Sequence, residues 1–233
     1  MSDQPFVIAE VIYPGLTQLD FTGPHTILSR LPDTRTIVAS LAGGDVRSDC
    51  GLTFAGTTPM SDIERCDLLF FPGGLVTTQV INDLAFMEQV RRLAGDAKYL
   101  TSVCTGSLIL AAAGLLRGRR AACHWAMRET LSLFGAIPDP GRVVRDGNII
   151  TGGGVTAGID FALTVAAELA GEDFAQAIQL TLEYAPAPPF NSGRPETAPP
   201  HILALSRQRF DKLMPTRLAD AQRAADHLSA YAH

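Results

Sequence analysis

With 233 residues, 46% of them hydrophobic and 18% charged, the chain is long and apolar enough to bury one large core and does not read as a disordered polymer. Its formal net charge of −5 argues against a phosphate-binding surface, and no apolar run approaches the ~20 residues that cross a bilayer, so neither nucleic acid nor membrane is an expected partner. Cys50, Cys66, Cys104 and Cys123 stand singly, without a CxxC pair or metal-ligand spacing, and the start MSDQPFVIAEVIY lacks a basic segment and a cleavage site. Both features fit reduced thiols in the cytoplasm.

Phe6 to Tyr13 (FVIAEVIY) is apolar on both faces, as a strand inside a parallel sheet is, and Pro14-Gly15 stops it. LTQLDFTGPHTILSRL follows with helical spacing after Pro24. Thr34 to Ala42 reads as a second strand, and DVRSDCGLTFAGTTPM, rich in glycine and β-branched residues, as short strands or turns. Cys66 to Gly74 (CDLLFFPGG) is another buried strand, closed by a Pro-Gly-Gly break. NDLAFMEQVRRLAG is a helix with Asn82 as its N-cap and Gly95 as its stop. YLTSV is a strand, SLILAAAGLL a helix ended by Gly114 or Gly118, RRAACHW a strand and AMRETLSLFG a helix.

Asp146-Gly147 between two β-branched runs predicts a hairpin. GIDFALTVAAELAG and EDFAQAIQLTLEYA are helical, the prolines of segment 185–200 oppose regular structure, and one last helix occupies 201–233. Strand and helix alternate with no repeat and no linker, which predicts a single α/β domain, 1–233, around a mainly parallel sheet. The working surface of such a sheet lies beyond the carboxyl ends of its strands. Pro14-Gly15, Pro72-Gly73-Gly74 and Cys104 all fall there.

Cys104 sits where a strand ends and a helix begins, among the small residues of S-V-C-T-G-S. That is the pattern of a nucleophile elbow, with Ser102 where the first small residue is usually glycine. A helix N-terminus stabilises a thiolate and lowers its pKa. Gly73 and Gly74 could turn backbone N–H groups toward developing negative charge. Asp20, just after the first strand, could serve as a proton donor and acceptor if desolvation raises its pKa. His124, read at the end of the RRAACHW strand, is a second-choice partner. The other histidines, 25, 201, 227 and 233, read as surface or packing residues. ITGGGVTAG fits neither G-x-G-x-x-G nor a Walker loop. Its glycines instead let backbone pass close to a strand or pocket, which makes Gly153 and Val155 candidate substrate-binding residues. No H-E-x-x-H or Cys/His cluster points to a metal. Arg207, Arg209, Arg217 and Arg223, interleaved with acids, read as a solvated helix face. Each feature also has a plain structural reading. Free cysteine is commonly buried, Gly-Gly makes tight turns and aspartate caps helices, so Cys104 stays open between core thiol and nucleophile.

The segments YPGLTQLDFTGP, FFPGG, TSVCTGSLILAAAGLL, HWAMRETL, VVRDGNIITGGGVTAGIDFAL and LEYAPAPPFN, between about Phe6 and Asn191, resemble the isocyanide (isonitrile) hydratases of the ThiJ/PfpI superfamily. That superfamily includes the parkinsonism-associated deglycase. The resemblance implies a flavodoxin-like three-layer α/β sandwich, related to class I glutamine amidotransferases, with the cysteine on a strained elbow, a homodimer and no cofactor. It makes Cys104 the nucleophile, Asp20 the general acid/base, Thr105 a neighbour needed for activity, and Gly73 and Gly74 backbone donors. The reaction it implies joins a small-molecule isocyanide and water to give an N-substituted formamide through a thioimidate on sulfur. A desolvated pocket would then favour apolar substrates, with the loop 75–82 lining it. The elbow, HWA and TGGG blocks are shared with amidase-like domains of AraC-type transcription regulators. A glyoxalase- or deglycase-like enzyme would use the same thiol and carboxyl, and a redox sensor would oxidise the thiol.

Overall fold

The apolar run Phe6–Val11 forms strand β1, buried along nearly its whole length. The computed structural model describes residues 5–231; Met1 to Gln4, Ala232 and His233 lie outside the described residues. After β1 come α1 (Gln18–Leu28), β2 (Thr34–Ser40), β3 (Gly44–Arg47), β4 (Thr53–Pro59), β5 (Leu68–Phe71), α2 (Thr77–Val80) and α3 (Leu84–Asp96). The chain continues through β6 (Tyr99–Val103), α4 (Ser107–Ala112), β7 (Arg120–Ala121), β8 (Ile137–Pro138), β9 (Val143–Asp146) and β10 (Ile149–Gly152). It closes with α5 (Ala157–Ala170), α6 (Glu172–Thr181), α7 (Pro200–Asp211) and α8 (Met214–Tyr231).

Eight strands form one sheet in the order β3-β4-β2-β1-β5-β6-β10-β9, and β7 and β8 make a separate two-stranded piece. The strands from β4 through β10 in that order run parallel, while β3 and β9 join antiparallel at the edges. Helices cover both faces: α1, α5 and α6 pack together on one side, and α2, α3 and α4 with α8 on the other. This burial explains why β5 reads LLFF and is buried at every residue, without a polar alternation. The architecture is the flavodoxin-like α/β sandwich. Among the described residues no helix is long and apolar enough to cross a membrane.

Register sets the site. Phe71 lies opposite Ser102 and Gly152 opposite Val103, so the chain leaving β6 emerges between the Pro72 loop and the Gly153 loop. Glu10 of β1 is fully buried, and its Oε2 lies 2.5 Å from Nδ1 of His25 on α1. The surface or packing role read for His25 is therefore a side chain tied to a buried carboxyl.

Several boundaries differ from the sequence expectation. The first helix starts at Gln18 rather than after Pro24, with the proline inside it. The Pro24 ring is accommodated because Gly158 of α5 faces it; a Cβ at Gly158 would stand 3.0 Å from Pro24 Cδ. The early start places Asp20 in the first helical turn. Asp83, not Asn82, caps α3 by accepting from Phe86 N–H at 3.1 Å, and the helix passes Gly95 to end at Asp96. RRAACHW yields only the two-residue β7 outside the main sheet, so His124 does not end a sheet strand. The segment is held instead by side chains: Ser107 Oγ donates to Ala122 O at 2.5 Å and Ala122 N–H donates to Thr151 Oγ1 at 2.8 Å. AMRETLSLFG becomes a 3-10 helix, Arg128–Phe134, ended by Gly135 at φ 74°. The single last helix is two, because Pro215 has no N–H for the turn before it and its ring opposes a continuous α7.

Candidate active site

Three loops converge at the carboxyl ends of β1, β5 and β6. Leu16 pairs with Gly74 in an antiparallel bridge, and Thr17 N–H donates to Gly73 O at 2.9 Å. This stitching lowers Asp20 onto the Pro-Gly-Gly loop, where Gly73 N–H donates to Asp20 Oδ2 at 3.0 Å. Tyr13 O–H reaches Pro72 O at 2.9 Å, and its oxygen lies 2.9 Å from Thr77 Oγ1. Thr105 Oγ1 accepts Gly74 N–H at 2.9 Å and lies 2.8 Å from Thr77 Oγ1. A buried lattice of hydroxyls and backbone thus fixes the loop beside the elbow.

Cys104 adopts φ +59°, a left-handed conformation that costs a non-glycine residue roughly 1–2 kcal/mol. Two contacts hold it there. Cys104 N–H donates to Gly153 O at 2.8 Å. Gly106 lets the turn pass against β5, since a Cβ at that position would stand 2.3 Å from Phe71 O. The thiol is only 5% exposed. Burial, then the neighbouring Asp20 carboxyl, push its pKa well above the ordinary thiol range, although Thr105 N–H facing the sulfur works the other way. The lowering expected from a helix N-terminus is therefore outweighed by desolvation, with only a short 3-10 turn ahead of α4 to supply a dipole.

Asp20 is fully buried, and burial raises its pKa to about 7 despite the stabilising contacts from Cys104 and Gly73 N–H. Its Oδ1 is buried and has no hydrogen-bond partner. The carboxyl and the thiol therefore form a buried, interacting pair.

Of the residues singled out in the sequence, Cys104, Asp20, Thr105, Gly73, Gly74 and Gly153 are brought together. Gly73 and Gly74 do not stand as free donors, because their N–H groups are already engaged with Asp20 and Thr105. Those contacts hold the two side chains in place. Gly73 has no room for more: a Cβ would lie 2.5 Å from Thr105 N and 2.8 Å from Asp20 Oδ2. Gly73→Ala is expected to lower stability by about 1–3 kcal/mol and turnover more than tenfold, read by thermal melts alongside rates. Wild-type rates in that variant would show that the Gly73 contact does not set the Asp20 position.

His124 is not held against Cys104 by any hydrogen bond. It packs near Trp125 and Phe210, with ring centroids 5.6 and 5.8 Å away, and burial followed by the charge of Arg217 lowers its pKa to about 4. It is a neutral wall of a cleft of about 210 Å³, which Gly153 and Val155 also line. Cys104 and Asp20 are not among its lining residues. Arg128, Arg142 and Arg194 stand on it against the single acid Glu196. The loop after Gly74 does not line it: Thr77 belongs to the hydroxyl lattice, and Thr78 and Asn82 reach Asp220 of α8.

Sequence reasoning missed Arg217. Read as solvated, it is 6% exposed and interacts electrostatically with Cys104, Cys123 and Tyr13. The signal was present, because Arg217 shares the buried stripe of α8 with Ala221, Ala224 and Leu228 at helical spacing.

A model of the DJ-1/PfpI family matches residues 8–168. An isonitrile hydratase from Pseudomonas putida is 47% identical over 222 residues, covering 95% of this chain and 97% of that protein. The crystal structure of a ThiJ/PfpI family protein from Pseudomonas syringae superposes with a TM-score of 0.89 at 40% identity, over 95% of this chain and 90% of that one. Drosophila melanogaster DJ-1beta superposes with a TM-score of 0.69 at 24% identity, over all of its own chain but 78% of this one. That last likeness is one of fold alone.

Proposed function

The chain belongs to the DJ-1/PfpI family, and from that premise we propose that it hydrates isocyanides to N-substituted formamides, as a hydro-lyase with Cys104 as nucleophile. The observation that carries the reading is the buried Cys104–Asp20 pair, in a chain 47% identical to an isonitrile hydratase. An isocyanide is already electrophilic at its terminal carbon, so it needs a nucleophile there and a proton on the same carbon. The pair supplies both.

In the first step Asp20 carboxylate takes the thiol proton, sulfur bonds to the terminal carbon, and Asp20 returns the proton to that carbon. The product is the thioimidate Cys104–S–CH=N–R. In the second step Asp20 removes a proton from water as its oxygen adds to the carbon and passes that proton to the nitrogen, giving Cys104–S–CH(OH)–NH–R. The C–S bond then breaks as Asp20 takes the hydroxyl proton and returns it to sulfur, and R–NH–CHO leaves. Desolvation of the thiol favours this addition, since neither substrate nor thioimidate needs a solvated ion. Thr105 N–H, facing the sulfur, steadies the thiolate as it forms.

The active form of the pair carries one proton. Below pH 7 Asp20 is protonated as well as the thiol, and no base remains to ionise sulfur. Log(kcat/KM) is expected to rise through about pH 7, the Asp20 value, and to level until the thiol itself ionises at far higher pH. The direct test is incubation with a neutral alkyl isocyanide such as butyl isocyanide, with formamide followed by NMR across pH 5 to 9. Absence of formamide would overturn the function, and a pH-independent rate would overturn the role of Asp20.

A further inference from the structure

Two successive peptide units of the Pro72-Gly73-Gly74 loop are gripped at both ends, and they aim at different parts of the site. In the second unit Gly73 O accepts Thr17 N–H at 2.9 Å, while Gly74 N–H donates to Thr105 Oγ1 at 2.9 Å. In the first, Pro72 O accepts the Tyr13 hydroxyl at 2.9 Å, while Gly73 N–H donates to Asp20 Oδ2 at 3.0 Å. The C=O and N–H of one peptide share a rigid plane. The phenol of Tyr13 therefore holds the far end of the group that touches the acid. A hydrogen bond to the carbonyl also polarises the amide and strengthens its N–H as a donor, by roughly 10–30% per bond in a chain.

Packing alone does not require a tyrosine at position 13. Its ring meets Phe86 edge-on, with centroids 6.2 Å apart at 82°, a contact that phenylalanine would keep. The hydroxyl is buried, and burial raises the phenol pKa above its ordinary value, so it stays a donor at every working pH. Behind it stand two more hydroxyls. Thr77 Oγ1 lies 2.9 Å from the phenol oxygen, and Thr105 Oγ1 lies 2.8 Å from Thr77 Oγ1. Each can donate to the next, and the carbonyl at the end can only accept. Gly74 O, 2.8 and 3.0 Å from the two threonine oxygens, competes for their protons, so these links are weaker than the one from Tyr13 to Pro72 O.

We propose that Tyr13 is a positioning residue for proton transfer: a one-way chain of hydrogen bonds, from Thr105 through Thr77 and Tyr13 to the Pro72–Gly73 peptide, ends on Asp20 and holds its carboxyl aligned and ready to ionise. The inference rests on the hydration reading, in which Asp20 moves the proton, and names the residues that tune it. Asp20 is sensitive to this one N–H, because its Oδ1 has no hydrogen-bond partner and its remaining support comes from Cys104. Other ionisable groups face Asp20 from the elbow (Cys104), the turn after β3 (Asp49) and the segment after β7 (Cys123), and Arg217 of α8 interacts with Tyr13. All of them remain in the variants below.

Tyr13→Phe deletes the link nearest Asp20. With butyl isocyanide across pH 5 to 9, the rise in log(kcat/KM) should move up by about half a unit to one unit. The variant should then be about 3- to 10-fold slower at pH 6 and close to wild type at pH 9, whereas a loss of stability alone would lower the rate at every pH. Thr77→Val should move the rise in the same direction by less, and Thr77→Ser should restore it. The double variant Tyr13→Phe/Thr77→Val should match Tyr13→Phe, because the links act in series. One measurement needs no turnover: the Gly73 amide proton, followed by NMR, should shift through about pH 7 in the wild type as Asp20 ionises, and at higher pH in Tyr13→Phe. An unchanged midpoint in Tyr13→Phe would leave hydration standing and overturn the inference. A Gly73 proton indifferent to pH in the wild type would also overturn it, whether or not the variants fold. No formamide at any pH, with the Gly73 shifts present, would overturn the hydration reading and support the link from Tyr13 to Asp20.

Discussion

Replacing Cys104 by alanine is expected to lower formamide production about 10,000-fold or more, because removing a covalent nucleophile removes the route and not merely a contact. The protein should stay folded. Alanine keeps the left-handed conformation at about the same cost as cysteine, the Cys104 N–H bond to Gly153 O is a backbone bond, and only one sulfur leaves the core. A Cys104→Ser variant checks this at constant size. Its hydroxyl fits the same turn but is far less acidic than a thiol, so it should fold like the wild type and turn over isocyanide little better than alanine does. Rates and melting curves on the three proteins decide the matter. Alanine-variant rates near the wild type's would remove the nucleophile from the mechanism and return Cys104 to the core.

The second large effect belongs to Asp20. Asp20→Asn preserves shape and the acceptor for Gly73 N–H but cannot move a proton, so kcat should fall by about 100- to 10,000-fold, and the rise through pH 7 should disappear. The same change is expected to stabilise the protein. The folded carboxyl titrates at about 7 against an ordinary 3.8, so between these values the unfolded chain releases a proton that the folded chain retains. Folding stability therefore falls as pH rises across that window, by up to ~4 kcal/mol at about 1.4 kcal/mol per unit. Asparagine has no charge to bury. Its advantage should be largest above pH 7 and vanish below about pH 4, as denaturant melts at pH 4 and pH 8 would show. Equal stabilities at pH 8 would mean that Asp20 is solvated in the folded protein.

Much of this site was legible in the residues. S-V-C-T-G-S announced a sharp strand-to-helix turn, because only small neighbours let it close, and Gly106 under Phe71 O shows why. The run CDLLFFPGG announced a strand buried on both faces. What misled was local reasoning at boundaries. Pro24 suggested a helix start, yet a glycine on another helix makes room for it. RRAACHW has strand composition, but Ser107 and Thr151, from elsewhere in the chain, hold it out of the main sheet. Arg217 looked solvated because it reads with Arg207, Arg209 and Arg223 as interleaved with acids, and the meaning of its place on the buried stripe depends on what that stripe faces.

The amino-acid sequence by itself determined the alternation of strand and helix, the parallel sheet and the identity of thiol, carboxyl and glycine loop, since each rests on periodicity, turn chemistry or a motif only a few residues long. The tertiary structure alone decided the protonation of those groups and their surroundings. Burial, not the helix terminus, sets the Cys104 and Asp20 pKa values. The glycine N–H groups hold side chains and do not stand free, and a helix more than a hundred residues away in the chain buries an arginine whose charge interacts with the thiol. Desolvation and long-range charge depend on every neighbour in space, and a chain in one dimension does not list its neighbours.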